Sequence, residues 1–167
     1  MMTKTRPRRA RGDRRLTGIV EWLERTRRRA LDEARKSCYL ILEAPDASPG
    51  AHRGAIRFVQ FAFERDWFCM DLPTTTLSRV EAERLRRNRS GFFYVRERPV
   101  FSLHEEDANG FDPFRKVYLY GDELTAAEDV MHVFFRVWDL PSVVPIKATS
   151  GVCGDGPRFE QGVALDS

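Results

Sequence analysis

The chain has 167 residues, 42% of them hydrophobic and 32% charged, with Lys+Arg 28 against Asp+Glu 25. A chain of this size buries roughly 70% of the surface its unfolded form exposes, so neither a disulfide framework nor a structural metal is required. The three cysteines, Cys38, Cys69 and Cys153, form an odd and widely spaced set, which predicts a reducing, cytoplasmic setting rather than a secreted scaffold.

No membrane contact is expected, because the apolar clusters around Phe58 to Phe63 and Val130 to Trp138 are cut by Gln60, His132 and Arg136. They fall short of the roughly 20 apolar residues that a membrane span needs. The near balance of charge conceals an asymmetry. The first 36 residues hold 13 Lys and Arg against five Asp and Glu, a net of +8, while the whole chain is +3, so residues 37–167 carry a net −5.

In chain order, residues 1–15 read as a disordered basic leader, since Pro7 and Gly12 interrupt it and Ala10 is its one apolar residue after Met2. Arg6, Arg8, Arg9, Arg11, Arg14 and Arg15 are its candidate phosphate ligands. From Leu16 onward, Leu16, Ile19, Val20, Leu23, Ala30, Leu31 and Ala34 recur at a helical period, with Arg27 on the stripe and Trp22 beside it. A first strand is expected at Tyr39 to Leu42, a central one at Ile56 to Phe63 and its hairpin partner at Trp67 to Leu72.

A second helix is predicted over about Arg79 to Arg89, where Ser78 and Glu81 have the spacing of a capping box and Gly91 follows. Strands are then expected at Phe92 to Val95, Val100 to His104 and Lys116 to Tyr120. A last, mostly apolar helix over Ala126 to Trp138 follows a second capping-box spacing at Thr125 and Glu128. The glycine-rich stretch 146–167 lacks periodicity and reads as a flexible tail. The prediction is one α+β domain over residues 16–145, an antiparallel sheet with flanking helices in the order α-βββ-α-ββ(β)-α.

This order resembles the fold of type III secretion chaperones and of YbjN-like proteins. Four stretches, Phe58 to Ala62, Gly91 to Tyr94, Asp112 to Asp122 and Ala126 to Trp138, look like the TY-Chap group of predicted peptide-binding chaperone domains. The resemblance covers about residues 16–140 and implies a peptide or protein client, held on the sheet or in an apolar groove, and a homodimer as one mode of assembly. The basic leader lies outside that pattern.

No constellation points to catalysis. His104, Glu105, Glu106 and Asp107 with Asp112 match neither a two-histidine helical zinc site nor an EF-hand, and read as a turn. Cys69 sits between Phe68 and Met70, a setting for a buried thiol rather than a thiolate nucleophile. No metal or cofactor is expected. In the run Lys116 to Tyr120, Val117 and Leu119 share one face and Lys116, Tyr118 and Tyr120 the other. With the apolar pair turned inward, Tyr118 and Tyr120 line a half-exposed surface with Trp67, joined by Arg57 if the strands are adjacent. These four are the candidate client contacts of a non-enzymatic, chaperone-like binding module. The alternative is a nucleic-acid-associated protein that binds phosphates through its arginine-rich leader.

Overall fold

The computed structural model describes residues 13–32, 38–44, 57–87, 91–94, 113–152 and 160–161. The expected strand Val100 to His104 and the leader residues Arg6, Arg8, Arg9 and Arg11 lie outside them. Helix α1 (Arg14–Asp32) leads into strands β1 (Cys38–Ala44), β2 (Arg57–Phe63) and β3 (Trp67–Pro73), then helix α2 (Arg79–Arg87). Strands β4 (Phe93–Tyr94) and β5 (Pro113–Leu119), helix α3 (Glu123–His132), a π-helical turn (Val133–Val137) and strands β6 (Lys147–Val152) and β7 (Glu160–Gln161) complete the order. The described strands form one seven-stranded sheet, β4-β5-β3-β2-β1-β6-β7, and every pair in it is antiparallel. The chain is thus an α+β domain, with β2 at the centre of the sheet.

Alternation along the strands sorts the side chains into two faces. One face carries Leu40 and Leu42 of β1, Val59, Phe61 and Phe63 of β2, Phe68, Met70 and Leu72 of β3, and Ala148 and Val152 of β6, all buried. Ile19 and Leu23 of α1 and Ala126, Ala127 and Val130 of α3 belong to the same core. Leu31 is exposed and so lies off the buried stripe of α1, while Ala30 packs against the core and Ala34 lies outside the described residues.

The ends of the helices have separate causes. At α2 the capping box forms as read: the Ser78 amide donates to Glu81 Oε2 at 2.7 Å and the Glu81 amide to Ser78 Oγ at 3.3 Å. The spacing at Thr125 and Glu128 is not used. Helix α3 starts three residues earlier, after a tight turn in which Gly121 takes φ 110° and Asp122 accepts from the Leu119 amide at 3.2 Å. The helix then widens to π winding, with the Trp138 amide bonded to the Val133 carbonyl at 2.9 Å. Asp139, at φ 54°, takes the left-handed conformation that lets the Leu140 amide return to the Phe134 carbonyl.

Two boundaries differ from those read in the sequence. The leader does not extend to residue 15: Asp13 Oδ1 accepts from the Arg15 amide at 3.0 Å and α1 begins at Arg14. Residues 147–152 are a strand hydrogen-bonded to β1 rather than a flexible tail, with Ile146 and Ala148 fully buried. Their small, mixed residues conceal the alternation. The Tyr39 ring lies over Gly151, where a Cβ would meet Tyr39 Cζ at 2.5 Å, so any larger residue would have to displace that ring.

A chain ending at residue 145 would strip β1 of one hydrogen-bonded neighbour and uncover Leu40 and Leu42. We expect it to lose the cooperative thermal transition that the full chain shows by circular dichroism. A sharp transition in the shortened chain would show that β6 is dispensable.

The Arg57 guanidinium donates to Glu81 Oε2 at 2.8 Å and to the Thr76 carbonyl at 2.5 Å, tying β2 to α2. Burial pushes the Glu81 carboxyl up, but Arg57 and Ser78 outweigh it and hold it below its ordinary value of 4.5. Because the folded state lowers this pKa, the pairing stabilises above the unfolded value and is lost as pH falls through the folded one. We expect the thermal midpoint of the wild type to exceed that of Glu81→Gln at about pH 7 and the gap to close toward about pH 3. A gap independent of pH would remove Glu81 from the acid response.

Candidate functional site

Among the described residues, all three helices pack on one face of the sheet, and the functional candidates divide according to that face. Tyr118 lies under the helices. It pairs with Phe68 across β3 and β5, stacks on it at 5.1 Å and is 4% exposed. Its hydroxyl donates to Asp129 Oδ2 of α3 at 2.8 Å, and the Lys116 ammonium shares that oxygen. Burial, reinforced by the Asp129 charge and hydrogen bond, pushes the phenol far above its ordinary pKa.

Tyr120 continues the same face: its ring stacks on Phe68 at 5.9 Å, the Arg27 guanidinium sits 4.5 Å from it, and its hydroxyl donates to the Glu64 carbonyl. The orientation expected for β5 is therefore reversed. Tyrosine and lysine carry long apolar bodies that can be buried when an acid meets the polar tip, and Asp129 is that acid.

Arg57 is also on the helical side, committed to Glu81 and Thr76 and 5.7 Å from the Trp138 ring. It does not join the tyrosines, because β3 separates β2 from β5 and Arg57 lies at the opposite end of β2 from Phe63, the residue in line with Phe68 and Tyr118. Arg15 leaves the set of phosphate ligands. It is buried, donates to the Ser142 carbonyl at 2.6 Å and lies 4.7 Å from the Phe135 ring. Arg14 beside it is exposed.

Trp67 alone of the four client candidates stands on the face that no described helix covers. It is 37% exposed and opposite Leu119, itself 65% exposed. The register continues this surface through Cys69 opposite Val117 and Asp71 opposite Arg115, with Phe93 of β4 beyond Arg115. Val117 is 47% and Phe93 51% exposed, so Leu119, Val117 and Phe93 join Trp67 as candidates that the sequence pattern does not single out. On the inner strands Tyr39, Ile41, Phe58 and Ala62 occupy the same face and are half-buried.

One ion pair interrupts the apolar surface. Arg115 grips Asp71 with two parallel bonds, Nε to Oδ1 at 2.6 Å and Nη2 to Oδ2 at 2.7 Å. Fork-on-carboxylate geometry of this kind is directional and saturates both oxygens. Cys69 lies next to the pair, and burial first, then the Asp71 charge, push its thiol up to about 11. At neutral pH it is a thiol rather than a thiolate, which leaves it without the reactivity of a catalytic cysteine.

No group of three or more His, Cys, Asp or Glu side chains that could hold a metal occurs among the described residues. The group from His104 to Asp107 with Asp112 lies outside them, as does Cys153.

The buried role of Tyr118 has a measurable consequence. Tyr118→Phe keeps the stacked ring but leaves Asp129 with Lys116 alone, and we expect it to cost about 1–2 kcal/mol in urea unfolding without altering binding at the opposite face. An unchanged midpoint would show that the hydroxyl contributes nothing. The chain matches no family model, no curated protein and no solved structure.

Proposed function

We propose that the domain is a non-enzymatic binding module, chaperone-like in its task, that holds an extended segment of a peptide or protein client against the open face of its sheet. The observation that carries this reading is the row of Trp67 opposite Leu119, Val117 two residues along, and Phe93 on the next strand, exposed where no described helix packs. Neighbouring exposed apolar side chains of this kind commonly mark an interaction site. The self-satisfied Asp71–Arg115 pair supports the same reading, since it offers polar register at the middle of the row without an unpaired charge that would repel an apolar client. The order of the described elements up to α3, helix, three strands, helix, two strands, helix, agrees with the order expected from the resemblance to type III secretion chaperones, and supports a client-holding role. Beyond that order, β6 and β7 extend the sheet past β1.

Trp67→Ser combined with Leu119→Ser removes the opposed pair at one end of the row without touching the helix-side core. Titrated with fluorescein-labelled extended peptides of alternating apolar and polar residues, the double variant is expected to bind at least about tenfold more weakly than wild type, the loss of one or two buried anchors. Its circular dichroism should be unchanged. Equal peptide binding by the folded double variant would move the client elsewhere. A shift from dimer to monomer in sedimentation, with no peptide binding by either protein, would make this face a contact between copies of the chain.

A further inference from the structure

We propose that α2, the first turn of α1 and the π-helical turn form a second interaction surface, one that docks the phosphate backbone of a double-stranded nucleic acid. The placement of arginines carries this. Arg15 of α1 donates to the Ser142 carbonyl at 2.6 Å and stacks 4.7 Å from the Phe135 ring, while Arg84 of α2 donates to the Val137 carbonyl at 3.2 Å. The start of α1 and the whole of α2 are thereby fastened to one short stretch of chain. Residues far apart in sequence are drawn to the same end of the molecule. Arg14 and Arg136 are exposed there.

On α2, Arg79, Arg86 and Arg87 share one outward face with Glu83, at the spacing that makes helix residues neighbours. Glu83 pairs with Arg87 through Nη2 at 2.7 Å, so those two charges offset each other and a phosphate would compete with Glu83 for Arg87, while Glu81 is taken by Arg57. The remaining exposed acids on these elements are Asp13 and Asp139. Ahead of Asp13 the sequence adds Lys4, Arg6, Arg8, Arg9 and Arg11 with no acid among them.

The chemistry selects among polyanions. Every cation named on the described part of this surface is an arginine, whose planar fork matches phosphate oxygens in pairs. A membrane surface fits poorly, because Leu85 of α2 is turned into the core and the exposed apolar residues here, Val80 and Val143, are small, too little to anchor between lipids. A single strand would want aromatic rings beside the cations to stack its bases. The exposed rings Trp67 and Phe93 are instead on the far side of the sheet. What remains is contact with a duplex backbone, strong in charge and indifferent to sequence.

The test uses the full chain and a fluorescein-labelled 20-bp duplex of mixed sequence, as RNA and as DNA, in anisotropy titrations at about 50 and 200 mM salt. Wild type is expected to lose roughly hundredfold in affinity between the two, as about four phosphate contacts would give. Arg79→Gln with Arg87→Gln, both on the exposed face, should bind roughly tenfold more weakly at the lower salt and flatten the salt slope by about two. Arg79→Lys with Arg87→Lys should keep most of the slope, and the Trp67→Ser, Leu119→Ser variant should bind duplex as wild type does, which separates this surface from the sheet face. The proposal is overturned by duplex binding that is absent or indifferent to salt. It is equally overturned if the glutamine variant, folded by circular dichroism, binds as wild type does, since the leader would then act alone. Tighter salt-sensitive binding to a polyglutamate peptide or to anionic phospholipid vesicles than to either duplex would give the surface to a different partner.

Discussion

Three rings in line, Phe63, Phe68 and Tyr118, fix which way the sheet faces. They belong to three neighbouring strands and stack at 5.4 Å and 5.1 Å across β2, β3 and β5. Because side chains alternate along a strand, a slip of one residue in either pairing would send one ring to the opposite face and bring Cys69 or Val117 beneath the helices instead. The row therefore decides more than its own packing. It determines that Asp129 of α3 meets a tyrosine and a lysine, and that Leu119 and Trp67 are presented outward.

Polar groups on the helical side then fasten the helices down. Arg27 of α1 reaches Glu123 of α3 at 2.9 Å, Arg57 of β2 reaches Glu81 of α2, and Lys116 and Tyr118 of β5 converge on Asp129 of α3. Each link joins two different elements. Half-buried pairs of this kind add little net stability over a well-packed apolar substitute, yet losing one partner strands a charge and costs several kcal/mol, on the order of 3–5 for a fully buried pair. Their effect is to specify where the helices sit. Apolar packing alone would leave α1 and α3 freer to slide along the sheet.

Sequence patterns made the three helices and the core strands legible, for reasons visible in particular residues. Ser78 and Glu81 form the capping box that their spacing predicts, and the doubly apolar β2 is the central strand. Three signals misled. At β5 the apolar pair Val117 and Leu119 points outward because Asp129, ten or more positions later in the chain, satisfies the polar tips of its neighbours; no local pattern contains that partner. At β6 the segment Lys147 to Val152 has too few large residues to show a period, and its place is set by β1, more than a hundred residues away. At α3 a glycine turn and Asp122 start the helix before the cap at Thr125 can act. Of the client candidates, Trp67 alone shares the open face, because orientation there depends on pairings between strands rather than on residue type.

Cys69 lies among these pairings on β3, its thiol held protonated by burial and by the neighbouring Asp71 carboxylate. An alkylating reagent reacts with a thiolate that it can reach, so in the closed sheet this sulfur is protected twice over, by access and by protonation. When β3 separates from β2 or β5, both protections end together and the sulfur regains ordinary reactivity. The rate at which it is alkylated thus becomes a clock for opening of the strand on which the row of rings is built, read without adding any label to the protein.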